Sequence, residues 1–254
     1  MELETHFGLK NNKMIVYIRQ PAGIGDILFL QKAVNKFVEK DYQVIWPVIE
    51  HYQYLKDYNS SDNINYVSMN DLSCEIQELY KSDNLISNKD YMYIPFDVAK
   101  IPGRHFDFME AKYKLVNSDF NNWQNYINFK RFADREKACK EKLGLNDNEK
   151  FVFVNSLFAS PPKIYQRNIT VETNWRIIEQ TEEHLHQFNF FDLSWILENA
   201  EEIHTVETSL CYLIECLNTT NKLFVYGRVI DGSPQYSNFN YINKIYKKDW
   251  KYIS

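Results

Sequence analysis

Asp26 closes a short loop, PAGIGD, whose permissive positions are Gly23 and Gly25. Glycine reaches backbone conformations closed to other residues and lets a ligand come close to the main chain. An acid that opens a helix in turn accepts its orphan N–H groups as a cap. Asp26 thus carries two readings, a capping residue or part of a ligand-binding loop. A second constellation lies at Glu207, Thr208 and Ser209, where hydroxyls meet the start of the apolar-faced segment TSLCYLIECL. Hydroxyls and free N–H groups at a helix N-terminus suit the phosphates of a nucleotide; the same residues also make an ordinary capping sequence. Three cations are candidates to complete a phosphate clamp: Lys163 and Arg167 beyond Ser156, and Arg228 directly after Gly227. Each alone is more often a solvated loop charge, and it is their convergence on one sheet edge that raises them above that reading.

The elements that would carry these residues alternate. MIVYIR is a short, almost wholly apolar and β-branched run, the pattern of a strand buried on both faces of a parallel sheet. After Asp26 the period changes, and Ile27, Leu28, Leu30, Val34, Phe37 and Val38 give a helix one apolar face. Strands are expected at Tyr42–Ile49, near Ile64 and at Tyr91–Phe96, with a short helical stretch around His51–Lys56. Residues 104–148 show no strand pattern and read as a helical connector closed by Gly144. A second series follows: a strand at Lys150–Ser156, a Pro-containing loop, a strand near Trp175–Glu179, then FFDLSWILENA, EIHTV, TSLCYLIECL and NKLFVYGR as helix, strand, helix and strand. The tail from Tyr236 to Ile253 suits a helix packed back across the molecule. Strands alternating with helices mean βαβ units with crossover helices. The fold class is therefore α/β, with an N-terminal Rossmann-like domain over 1–103, the connector over 104–148, a second Rossmann-like domain over 149–235 and a terminal helix over 236–254. In such sheets ligands bind outside the carboxyl ends of strands, where both constellations fall.

Composition narrows the chemistry. The chain has 254 residues, 44% hydrophobic and 25% charged, with a formal net charge of −5. It carries no basic footprint for nucleic acid and no apolar run near the ~20 residues of a membrane span. The N-terminus lacks the apolar core of a secretory signal, and the four scattered cysteines read as reduced thiols, so a cytoplasmic location is expected. Neither GxGxxG nor a Lys-Ser/Thr pair follows the first strand, which leaves dinucleotide and P-loop readings unsupported. His184 and His186 stand at i,i+2 and form no metal-ligand pattern with other residues; neither metal nor cofactor is expected. His204 reads as a buried core histidine, and the aromatic stretches DFNNWQNY and NFKRF as core ahead of sugar-stacking platforms. Only seven glycines occur, against roughly 18 at average usage, and four of them (Gly23, Gly25, Gly227 and Gly232) fall in two of these loops.

The pairing of GIGDILFLQKAV after the first strand with IHTVETSLCYLIECLNTTNKLFVYGR near the C-terminus resembles the heptosyltransferase-like (family 9-like) branch of the GT-B glycosyltransferases. The resemblance implies two Rossmann-like domains facing across a cleft, with the acceptor bound by the first and a nucleotide-diphosphate-sugar co-substrate by the second. On it, Asp26 matches the catalytic aspartate, the general base on the hydroxyl of a glycan or glycoconjugate acceptor. Lys163 falls where a phosphate-binding lysine is usual, and Thr208 on the threonine whose helix N-terminus holds the diphosphate. Three positions depart from the pattern: Glu207 replaces Asp, Ser209 replaces Gly and Tyr212 replaces His. The implied reaction is inverting and metal-independent, since helix dipole, hydroxyls and cations meet the leaving diphosphate. Those departures keep two alternatives open, a catalytically degenerate scaffold that binds nucleotide, glycan or a protein partner, and an epimerase or hydrolase of nucleotide-sugars on the same fold.

Overall fold

The computed structural model describes residues 13–100, 108–160, 163–180, 187–230, 233–234 and 243–253. His184, His186 and Gly232 lie outside them. The chain divides into two compact units, Met1–Lys130 and Arg131–Ser254.

In the first unit, the strands β1 (Ile15–Arg19), β2 (Gln43–Pro47), β3 (Ile64–Val67), β4 (Ile86–Ser87) and β5 (Tyr91–Pro95) form one sheet in the order β3-β2-β1-β5-β4. All neighbours run parallel except β4, which pairs antiparallel with β5. The continuous apolar runs make sense here, because β1 and β2 are covered on both faces. Helix α1 (Ile24–Val38) buries Ile27, Leu28, Phe29, Leu30, Ala33 and Val34 completely. At about 1.5–3 kcal/mol for a fully buried large apolar side chain, this helix is firmly seated, and so is the residue at its start. The short helices α2 (Leu55–Tyr58) and α3 (Cys74–Leu79) follow, and α4 (Phe108–Leu115) packs on α1.

In the second unit, α5 (Ala133–Lys142) precedes β6 (Phe151–Asn155), the strands β7 (Leu157–Ser160) and β8 (Lys163–Gln166), and β9 (Arg176–Glu179). Helix α6 (Ser194–Asn199), β10 (Glu202–Val206), α7 (Ser209–Cys216) and β11 (Lys222–Tyr226) come next. The two-residue strands β12 (Val229–Ile230) and β13 (Ser233–Pro234) pair antiparallel, and β14 (Trp250–Ile253) ends the series. The sheet order is β14-β11-β10-β6-β9, parallel throughout. In both sheets the first strand is interior, with its successor on one side and a later strand on the other. The strand order therefore reverses between β1 and β5, and between β6 and β10, where such folds bind ligands.

Three expectations change. Residues 104–148 are not one connector: α4 belongs to the first unit and α5 to the second, because the apolar residues of each face a different core. Met109, Ala111 and Tyr113 are buried on the α1 side, whereas Cys139 is buried on α5, which packs against α6. The tail is not a single helix, because Trp250–Ile253 adds a parallel strand beside β11. Glu215 of α7 holds that strand's approach, accepting from the Lys247 and Lys248 amides (2.8 and 3.2 Å) and from Trp250 Nε1 (2.7 Å). The loop expected after β6 is largely an antiparallel hairpin, β7–β8, whose Phe158 and Tyr165 stack across the strands with ring centroids 5.5 Å apart.

Candidate active site

At the carboxyl end of β1, Gly23 is the N-cap of α1 with φ +82°, and no side chain caps the helix. Asp26 lies three residues beyond this N-cap, so the capping reading fails. Its carboxylate goes elsewhere: Oδ1 pairs with the ammonium of Lys112 on α4. Lys112 is only 5% exposed and also donates to Gln20 Oε1 at 2.7 Å. Gln20 in turn donates from Nε2 to the Ala22 carbonyl at 2.6 Å. The other carboxylate oxygen, Oδ2, faces Gly23, where a Cβ would stand 2.5 Å from it. Gly23 is therefore required twice, for its left-handed backbone and for the room it leaves Asp26. Gly25 is a buried residue of the first helical turn. The half-buried Tyr52 places its hydroxyl near the Ile24 and Gly23 amides. Burial raises its pKa, these N–H groups oppose that, and the nearby charge of Asp26 adds to it.

Helix α4 is anchored beside α1 by Tyr113, whose hydroxyl donates to the Phe29 carbonyl and whose ring meets Phe29 edge-on at 4.9 Å. Trp123, fully buried, contacts Phe29 from the other stretch of the unit at 5.2 Å. The aromatic residues of DFNNWQNY thus include core residues that brace the helix bearing Asp26. The neighbouring end of β1 is stapled across the sheet's reversal point, where Arg19 Nε donates to Asp97 at 2.7 Å.

The carboxyl edge of the second sheet is built differently. Thr208 caps α7, its Oγ1 accepting from the Leu210 amide at 3.3 Å. Asn155, buried at the end of β6, donates to Thr205 Oγ1 (2.9 Å) and to Thr208 Oγ1 (3.3 Å), spanning the reversal point with neutral groups. Ser209 is the first residue of α7. The Glu207 carbonyl accepts from Arg228 Nε at 2.7 Å. Arg228 is half-buried, lies over the Phe158 ring at 5.8 Å, and has no partner for its terminal nitrogens among the described residues. The Arg167 amide donates to the Ser156 carbonyl at 2.9 Å. Burial raises the Tyr226 pKa, and the Arg167 charge opposes that rise. The structure therefore brings Ser156, Arg167, Glu207, Thr208, Ser209 and Arg228 to one edge of one sheet. It does not bring Lys163 there: Lys163 stands exposed on β8, paired through the backbone with Ser160.

His204 is a core residue, 6% exposed, stacked on Phe224 at 4.3 Å and bonded through Nδ1 to the Tyr226 hydroxyl at 2.9 Å. Burial lowers its pKa, and Glu202 pulls the other way. Among the described residues no three His, Cys, Asp or Glu side chains cluster so as to hold a metal ion, and no helix is long and apolar enough to cross a membrane.

No protein-family profile matches the chain, and no curated protein matches its sequence. Solved structures do match. A family 9 glycosyl transferase from Veillonella parvula superposes with a TM-score of 0.53 at 13% identity, over 91% of this chain and 90% of that one. The fold is that of a family 9 glycosyltransferase. Among other neighbours of this GT-B fold, the E. coli heptosyltransferase WaaC with ADP-2-deoxy-2-fluoro heptose gives 0.46 at 13% identity, over 94% of this chain and 93% of that one. E. coli ADP-heptose lps heptosyltransferase II gives 0.47 at 11%, over 94% and 90%.

Lys112, Gln20, Tyr52 and Asn155 went unread in the sequence. Asn155 had a signal, a polar residue closing an otherwise apolar strand. Lys112 had none, since it lies 86 residues from its partner in a stretch without a motif.

Proposed function

We propose that the chain transfers a glycosyl group from a nucleotide-diphosphate-sugar to a hydroxyl of a glycan or glycoconjugate acceptor, without a metal and with inversion at the anomeric carbon. In this reading the donor diphosphate lies at the start of α7, against the Ser209 amide and the Thr208 hydroxyl, with Arg228 and Arg167 as counter-charges. Asp26 accepts the acceptor's proton as the oxygen attacks the anomeric carbon. The bond to the diphosphate breaks on the opposite face, and its developing charge meets the helix N-terminus and guanidinium groups. A base that acts late, on a hydroxyl already acidified by bond formation, does not require a raised carboxylate pKa.

The observation that carries this reading is Arg228, half-buried beside the α7 N-terminus with its terminal nitrogens unpartnered among the described residues. A guanidinium fixed through one nitrogen and otherwise unoccupied suits an incoming phosphate. The test is a thermal-shift screen against UDP-, GDP-, ADP- and CMP-sugars, in which a donor at 100 times its dissociation constant stabilises by about 2.7 kcal/mol. A shift with one of them, lost in Arg228→Leu, supports the donor site. No shift with any of them favours the binding scaffold, to which Ser209 in place of Gly already points. Product analysis with and without acceptor separates transfer from hydrolysis or epimerisation.

A further inference from the structure

We propose that Lys112 is a positioning residue for Asp26, fixing which carboxylate oxygen receives the acceptor's proton. This rests on Asp26 being the base. Lys112 lies 5% exposed on α4, with its ammonium held between Gln20 Oε1 and Asp26 Oδ1. That contact uses Oδ1 and leaves Oδ2 on the Gly23 side, facing the loop at the carboxyl end of β1. Gln20 cannot turn its amide round without losing the bond from Nε2 to the Ala22 carbonyl, so the acceptor oxygen stays aimed at Lys112. The clamp is carried on two helices locked together by Tyr113 and Phe29. The ammonium is thus pre-set before a ligand arrives.

Stability alone does not account for the arrangement. A buried ion pair seldom outperforms well-packed apolar residues of similar volume, because desolvation of both charges offsets their attraction. A methionine at position 112 would fill the space of the lysine stem, and Asp26, part-exposed, would regain water. The geometry earns its cost by selecting one rotamer of the carboxylate and one of its oxygens, the kind of support that holds a reacting group within a fraction of an ångström.

The test is a double-mutant cycle on nucleotide release, with water as acceptor, from whichever UDP-, GDP-, ADP- or CMP-sugar shifts the wild-type melting temperature. Lys112→Met is expected to lower kcat at least 30-fold while donor KM stays within twofold. In the residual activity of Asp26→Asn, the same substitution is expected to cost nothing, because Lys112 acts through the carboxylate. Losses that multiply in the double variant overturn the proposal and leave Asp26 as base. Undiminished turnover of Asp26→Asn overturns the base assignment itself, and this proposal with it. A crystal structure of Lys112→Met provides a readout without turnover: Asp26 is expected to leave its rotamer, and an unmoved carboxylate overturns the positioning role.

Discussion

The two units share an architecture but prepare their reversal points in opposite ways. At the carboxyl edge of the first sheet, charges are already matched: Arg19 is tied to Asp97, and Asp26 to Lys112. At the edge of the second, the crossing between β6 and β10 is made by neutral groups, Asn155 with Thr205 and Thr208, and Arg228 spends only Nε on a carbonyl. An edge whose charges are internally satisfied can hold a reacting group in place but offers little to an anion. An edge with a helix N-terminus and an unspent guanidinium offers a site to one. The proposed roles, proton acceptance in the first unit and phosphate binding in the second, rest on that contrast.

The strongest way to break the comparison is Asp26→Ala, expected to cut transfer by about a thousandfold or more while leaving the donor-induced thermal shift unchanged. Turnover preserved in that variant, or a lost shift, would erase the division of labour. Next, Glu215→Leu strips three donors around β14 of their acceptor. At about 1–3 kcal/mol for each buried unsatisfied group, urea unfolding should show the second unit weakened by about 3 kcal/mol, with the first unit's transition unmoved. Arg228→Leu is expected to weaken donor binding roughly 10- to 100-fold, the worth of about 1.5–3 kcal/mol for hydrogen bonds to a charged group, as read by calorimetry. Gly23→Ala should cost about 1–2 kcal/mol of stability from the left-handed backbone, and should lower turnover further because the new methyl displaces Asp26. The smallest effect is titration of His204. Its folded pKa lies below the unfolded 6.5, so the unfolded chain binds the proton more readily. Stability is full above about pH 6.5 and declines as pH falls toward the folded value. His204→Gln should flatten the melting-temperature profile between pH 7.5 and 5.5.

Legibility in the sequence followed the range of the forces involved. The strands β1, β2, β6, β10 and β11 and the helices α1 and α7 are local patterns of apolar residues, and each was readable in place. So were Thr208 as a cap and Gly23 as the position of a special backbone. Partnerships were not readable. Nothing in KYKL near Lys112 marks it as a buried ion, because the partner that makes burial tolerable is supplied by α1 through tertiary packing. The hairpin β7–β8 hid behind its two prolines, which suggested a loop, while the alternation of Phe158 and Tyr165 on one face was too short to register. The final strand was missed because WKYI is polar enough to pass for a helix end; its pairing with β11 depends on Glu215, thirty-five residues upstream of Trp250.

That last dependence sets a timetable for synthesis. Every strand of the first sheet has been made once residue 95 has left the ribosome, and its helical cover by residue 130, so this unit is free to fold while the rest is still being translated. The second sheet lacks one edge until residue 253 emerges, and Glu215 lacks its donors until Lys247, Lys248 and Trp250 have been made. Nascent chains halted short of Lys247 should therefore resist protease across the first sheet, Ile15–Pro95, and remain cleavable within the second unit.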